Sequence, residues 1–392
     1  MAQDLITTLI HHPYQPPAGF EAPTPGVFKA STVIFPDTAA LRGRDWRRRD
    51  TYSYGLMGTP TTYLLEERIA TLEGGLQCVL VPSGLAAVAL VDMALLSPGD
   101  EVLLPANVYG PSRELARHEL KRWGITHRLY DPLDPAALER MIGPQTRLLW
   151  LEAPGSVTME FPDLAALVQV ARAKGVTTAL DNTWGAGLAL RGFEHGIDIV
   201  MQALTKYPSG GGDVLMGSVT TRDQALHERI KGTHMRLGLG VAANDAEMVL
   251  RGLPTLAVRY AAQDAAGRRL AQWLGTRPEV ARVLHPALEG SPGHAHWRGH
   301  CTAAAGLFSV LLHERHSREQ VHAFVDALRL FRIGFSWAGP VSLVVPYDLT
   351  SMRGAGHGLQ GHLVRLSIGL ESVSDLQADL AQALQTALGA AG

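Results

Sequence analysis

Ala203-Leu204-Thr205-Lys206-Tyr207, taken with Asp181 upstream, is the stretch on which the reading of this chain turns. Lys206 follows an apolar run over residues 197–204 that only Asp198 and Gln202 interrupt. Such a run predicts a buried strand of a parallel sheet. A lysine at the end of a buried strand is costly unless it is paired or chemically used. Ser209-Gly210-Gly211-Gly212-Asp213 comes next, and a glycine-rich loop lets backbone approach a ligand closely. Asp181 ends a second apolar run over residues 176–180. Ligands of open α/β sheets bind at the carboxyl ends of strands, so the pattern predicts both residues at one site. A buried Lys–Asp ion pair would account for them. So would a site for pyridoxal 5′-phosphate (PLP), where a lysine attaches the cofactor and an aspartate keeps its ring nitrogen protonated.

Outward from this stretch the chain alternates strand and helix. Strands are expected over residues 78–81, 101–104, 148–152 and 176–181, and helices over 85–96, 111–123 and 163–174. This alternation predicts an α/β fold with a mainly parallel sheet covered on both faces. Upstream, Thr59 suits a helix N-cap and Pro60 the first helical position. The helix that follows, 64–72, is expected to bury Leu65, Ile69 and Leu72 and to point Glu66, Glu67 and Arg68 outward. Gly252-Leu253-Pro254-Thr255 reads as a boundary, with a long helix over 256–274 beyond it. Strands over 307–311, 343–345 and 363–368 then suggest a smaller α+β unit. The expected division is an arm over 1–55, a large domain over 56–253 and a small C-terminal domain over 254–392. The arm carries six prolines between Pro13 and Pro36 and no long helix is expected there.

A chain of 392 residues, 46% of them hydrophobic, supports a large core, and a formal net charge of −2 gives no case for nucleic acid as a partner. The two cysteines, Cys78 and Cys301, fit a reducing compartment. The start reads as no signal peptide and no apolar run approaches a membrane span, so a cytoplasmic protein is expected. The 16 histidines show no spacing typical of a metal site, and His294-Ala295-His296 lacks an obvious set of further ligands. The arginine run Arg42-Gly43-Arg44-Asp45-Trp46-Arg47-Arg48-Arg49 reads as a solvated face.

Asp181-Asn182-Thr183-Trp184, Thr205-Lys206-Tyr207 and Gly212-Asp213 resemble the PLP enzymes of cysteine and methionine metabolism, and within them the bacterial cystathionine β-lyases. The resemblance spans roughly residues 20–385. It implies the PLP-dependent transferase fold of type I, the aspartate-aminotransferase type. It further implies Lys206 as the attachment lysine and catalytic base. Ser83, Gly84, Leu85 and Thr205 would form the phosphate cradle, at a strand-to-helix turn whose free N–H groups suit an anion. Tyr109 would stack on the cofactor ring with its hydroxyl near substrate. Arg365, inside an alternating strand, would clamp the substrate α-carboxylate in two-pronged fashion, with Ser336 and Trp337 lining the same pocket. Tyr54 would cross a dimer interface into the neighbour's site, so a dimer is the least assembly and a tetramer of two dimers is implied.

The activity implied is β-elimination of L-cystathionine to homocysteine, pyruvate and ammonia, in methionine biosynthesis, with other cysteine thioethers as further substrates. Ser156, in the Pro154-Gly155-Ser156 context, favours this over the γ-lyases and γ-synthases, where asparagine is usual. Those enzymes and a cysteine-S-conjugate β-lyase remain alternatives, and a non-catalytic PLP-binding protein is a distant one. Four positions depart from the resemblance. Tyr54-Gly55-Leu56 lacks the phosphate arginine expected at Leu56, so either the cofactor binds more weakly or another cation substitutes, with Arg44 and Arg47 to Arg49 nearby in sequence. Met235 and Phe335 each stand in place of a tyrosine, and Ser209-Gly210-Gly211-Gly212 differs from the usual loop.

Overall fold

In the computed structural model, residues 4–48, 51–353 and 358–389 are described. Seven strands build the large sheet: β1 Gln77–Val81, β2 Glu101–Pro105, β3 Thr126–Tyr130, β4 Thr146–Glu152, β5 Thr177–Asp181, β6 Ile199–Ala203 and β7 Gly217–Thr221. Their spatial order is β1-β7-β6-β5-β4-β2-β3. Every neighbouring pair is parallel except those made by β7, which runs against both β1 and β6. The sheet is therefore mixed rather than wholly parallel. Reversing twice through β7 leaves β1 pointing the same way as β4, β5 and β6, so the carboxyl ends of all four lie along one edge.

The strands are buried because helices cover both faces, and their apolar residues divide between two clusters. Leu80, Leu103, Leu149, Leu151 and Leu180 face one way and Val79, Leu104, Leu148, Ala179 and Met201 the other. That alternation is the two-residue period of a strand. Each fully buried leucine or valine stabilises the fold by about 1.5–3 kcal/mol.

The helix Pro60–Glu73 starts where expected. Thr59 Oγ1 accepts the Thr62 N–H, and Thr62 Oγ1 accepts the Thr59 N–H at 2.8 Å. Gly74 closes the helix in the left-handed region at φ 73°. The expected outward face is corrected by the structure: Glu66 and Arg68 are buried along with Leu65, Ile69 and Leu72. Glu66 is tolerated there because Lys231, from the helix Gln224–Leu237, lies 3.5 Å away, a cross-element partner no local pattern shows. The helix expected over 111–123 is α-helical only over Gly110–Leu115 and continues as a wider π turn over Ala116–Leu120.

Five strands form the second sheet: β8 Val280–Leu284, β9 Leu307–Leu312, β10 Arg332–Ile333, β11 Leu343–Tyr347 and β12 His362–Ser367, in the order β10-β11-β12-β9-β8. Only the β10–β11 pair is parallel. This sheet packs its own core, which includes Phe308, Val310, Leu366, Leu376 and Leu380, against the helices Arg318–Asp326 and Val373–Leu388. The helix Leu256–Leu274 joins the two sheets. The described residues among the first 59 hold two short helices, Leu5–Ile10 and Thr38–Arg42, and leave Phe20, Phe28 and Ile34 exposed, the last at 89%. Among the described residues no helix is long and apolar enough to cross a membrane.

Candidate active site

Asp181 is the last residue of β5, and Lys206 lies three residues past β6, in a turn where its N–H donates to Ala203 O at 3.0 Å. The two strand ends are tied together by Thr183. Its N–H and hydroxyl donate to Asp181 Oδ1, at 3.0 and 2.5 Å, and its Oγ1 accepts the Ala203 N–H at 2.9 Å. Burial raises the Asp181 pKa against the opposing pull of Thr183 and of the Lys206 charge. A cationic partner such as a protonated ring nitrogen would hold this carboxylate ionised.

Lys206 Nζ donates to Ser336 Oγ at 2.7 Å and lies 5.6 Å from the centre of the Trp337 ring. Burial, helped by the positive charge of Arg365 and opposed by Asp181, lowers its pKa to about 8. At pH 7 roughly a tenth of such an amine is unprotonated, far more than for an ordinary lysine, and the unprotonated form is what a nucleophile or base requires.

Arg365 comes from the middle of β12 and is only 8% exposed. Its Nη2 donates to the Ser336 carbonyl at 3.2 Å, and its guanidinium lies over the Tyr347 ring at 5.3 Å. Among the described residues no carboxylate pairs with it. No ion pair among the described residues accounts for it. A buried guanidinium with no carboxylate beside it among the described residues is suited to receive an anion from outside. Ser336 is thus the junction of the site, with its hydroxyl on Lys206 and its carbonyl on Arg365, at a left-handed φ of 87°.

Ser83 caps the helix Gly84–Leu95 at the end of β1, and its Oγ accepts the Ala86 N–H at 3.1 Å. The Gly84 and Leu85 N–H groups have no acceptor among the described residues. A Cβ on Gly84 would stand 2.7 Å from the Ala203 Cβ, so only glycine lets this turn sit against β6. Two free N–H groups at a helix start fit a phosphate. Thr205 flanks the cradle, although its hydroxyl is engaged at both ends with Met216, donating to O at 3.2 Å and accepting from N at 3.1 Å. Tyr109 stands just before the helix Gly110–Leu115 with its side chain 44% exposed, a ring free to stack. Its N–H donates to Glu152 Oε2 at 2.7 Å.

Glu152, at the end of β4 and in register with Asp181, was not singled out from the sequence. Burial and the nearby Asp181 raise its pKa well above the carboxylate range. Its position as the last residue of a buried strand is the available signal. Tyr347 escaped notice too, because its contact with Arg365 depends on strand pairing. Tyr54 is not brought to the site within one chain: it bridges to Thr32 in the arm and is 48% exposed. Of the cations expected to replace an arginine at Leu56, Arg47 lies 3.5 Å from Glu228 and Arg44 donates to the Leu41 carbonyl at 2.6 Å. Arg49 lies outside the described residues. The structure also brings Asp163 and His300 to His296, a cluster that neighbouring-residue spacing does not reveal.

The model of the PLP-dependent enzymes of cysteine and methionine metabolism matches residues 6–385. The chain belongs to that family. Its PLP-dependence agrees with the lysine, the strand-end aspartate and the open helix start described above. The chain is 40% identical to the cystathionine β-lyase of Bordetella avium, over 97% of this chain and 98% of that protein. It is 36% identical to the cystathionine β-lyase of Escherichia coli strain K12, over 90% and 91%. Among solved structures, cystathionine γ-lyase from Lactobacillus plantarum superposes with a TM-score of 0.89 at 27% identity, over 98% of this chain and all of that one. The fold is accordingly that of the PLP-dependent lyases, a large mixed sheet with a smaller sheet domain.

Proposed function

We propose that this protein is a carbon–sulfur lyase that cleaves L-cystathionine by β-elimination to homocysteine, pyruvate and ammonia, serving methionine biosynthesis, and that also accepts other cysteine thioethers. The observation that carries this reading is the buried Arg365, without a carboxylate partner among the described residues, sharing Ser336 with Lys206. A substrate α-carboxylate on Arg365 sets the α-carbon beside the lysine amine. When bound, PLP supplies an electron sink for the charge left on that carbon. Asp181 would keep the ring nitrogen protonated, and Tyr109 would stack on the ring. The Gly84 and Leu85 N–H groups, with Thr205 beside them, would hold the phosphate. Lys206, its pKa lowered, would take the α-proton, and Trp337 lines the wall beside its amine.

The β- rather than γ-position of cleavage rests on Ser156, which stands between Asn107 O, accepting its N–H at 2.8 Å, and the Pro154–Gly155 turn. Similarity to the two β-lyases supports the same choice. Domains are assigned as 56–253 for PLP binding and 254–392 for the smaller unit, with 1–55 as an arm. The arm's exposed apolar side chains and the exposed Tyr54 support a homodimer in which Tyr54 completes the partner's site, paired again into a tetramer in the cytoplasm. The test is to incubate the holoenzyme with L-cystathionine and identify products. Homocysteine and pyruvate are expected; cysteine and 2-oxobutanoate would make it a γ-lyase.

A further inference from the structure

Away from the site just described, three ligand-bearing side chains from distant parts of the chain converge. His296 and His300 stand one turn apart on the helix His294–His300. Asp163, which caps the helix Leu164–Ala173, faces both. His296 Nδ1 lies 3.8 Å from Asp163 Oδ2, and His300 Nε2 lies 3.9 Å from Asp163 Oδ1. All three donor atoms fall within 4.8 Å of one another. Histidines at i and i+4 present their rings on one helix face, and two imidazoles with one carboxylate are a donor set suited to borderline divalent ions.

The cluster is more than a chance meeting of surface groups, because two of its three members are already held. His300 is packed between two rings, with Phe161 stacked at 6.4 Å and His195 edge-on at 4.6 Å. Asp163 is oriented by its cap, Oδ1 accepting the Ala166 N–H at 3.1 Å, which leaves Oδ2 without that duty. The backbone segments are pinned as well, by Phe161 N–H to Pro292 O at 3.0 Å and Thr302 N–H to Ala189 O at 3.0 Å.

We propose that Asp163, His296 and His300 form a binding site for a divalent transition-metal ion of the zinc, cobalt and nickel class, and that the ion fastens the β8–β9 connection onto the large-sheet domain. The three residues fill three positions of a tetrahedral site and leave the fourth to water. Asp163 belongs to the large-sheet side. The helix His294–His300 belongs to the chain that links two strands of the small sheet, yet its Trp297 packs into the large-sheet core. An ion there is a structural tie, remote in role from Lys206 and independent of the reaction proposed above.

The test uses the PLP-loaded protein after treatment with a chelator. Titration with Zn²⁺ is expected to show one tight site per chain and to raise Tm. Co²⁺ is expected to give ligand-field bands at longer wavelength than the cofactor's own absorbance. His296→Ala and His300→Ala should each weaken binding by at least about 10-fold, since even outer-shell partners of a metal cost that much when removed. Asp163→Asn, which preserves the helix cap, should weaken it similarly with Tm unchanged in the absence of metal. The His296 side chain is 42% exposed, so its variant folds whatever becomes of the others. Absence of a stoichiometric site, or binding equally tight in His296→Ala and Asp163→Asn, would overturn the proposal and leave a hydrogen-bonded cluster.

Discussion

Replacing Arg365 by methionine separates a substrate receptor from a structural cation. The guanidinium has one carbonyl and one aromatic face within the protein and no carboxylate among the described residues. Methionine of similar length removes the charge without opening a large void. If Arg365 receives the α-carboxylate through two charge-assisted bonds, each contributing about 1.5–3 kcal/mol, the loss is about 3–6 kcal/mol. That corresponds to a fall of roughly 10²–10⁴ in kcat/KM. Arg365→Lys restores the charge but not the fork, and should recover about half of that free energy. Stability should move the other way. Removing a buried charge that lacks a partner relieves a desolvation cost, so Tm of the methionine variant should equal or exceed that of the parent. Steady-state kinetics with L-cystathionine and a thermal melt of the holoenzyme are sufficient. A kcat/KM within 10-fold of the parent, together with a Tm drop of several degrees, would refute the reasoning and make Arg365 a structural residue.

Lys206→Ala should abolish turnover and the covalently held cofactor's absorbance while leaving the far-UV circular dichroism unchanged; turnover near that of the parent would remove Lys206 from the mechanism. The Lys206 amine has a pKa lowered to about 8 and acts only unprotonated, so kcat should climb with pH, reach half its maximum near that value and level off above it. A profile flat from about pH 6 to 9 would count against the lysine as base in the slow step. Buried Asp92 accepts the Trp150 indole N–H at 2.8 Å, and burial raises its pKa from 3.8 to about 7. The folded state then binds the proton more tightly than the unfolded chain. Its contribution is full below the unfolded pKa and is lost as pH rises through that window, by at most on the order of 4 kcal/mol. Asp92→Asn keeps the acceptor and has no charge to bury, so in denaturant titrations its stability relative to the parent should grow from pH 4 to 7; a constant difference would show that Asp92 does not titrate there.

Much of this arrangement is readable from the chain because it is local. Apolar runs that end in Asp181 and just before Lys206 place two groups on one sheet edge, and a strand-to-helix turn at Ser83-Gly84 adds the cradle. Thr59 and Pro60 announce their helix through capping chemistry that needs no tertiary partner. The misreadings are of the opposite kind. Glu66 and Arg68 look like a solvent face because the helix pattern cannot show Lys231 arriving from another helix. β3 is missed because its residues are largely exposed, with no apolar run to find, and β7 because its Gly, Ser and Thr residues mask a fully buried strand. Glu152, Tyr347 and the Asp163–His296–His300 cluster depend on register and on packing between sheets, which one-dimensional spacing does not carry.

Ser336 holds the attacking amine with its side chain and the carboxylate receptor with its main chain. One residue therefore sets the spacing between the two groups, and its left-handed backbone, at φ 87°, fixes both at once. A substitution that pushed Ser336 out of that backbone region would move the amine and the guanidinium together, so the two cannot drift apart independently.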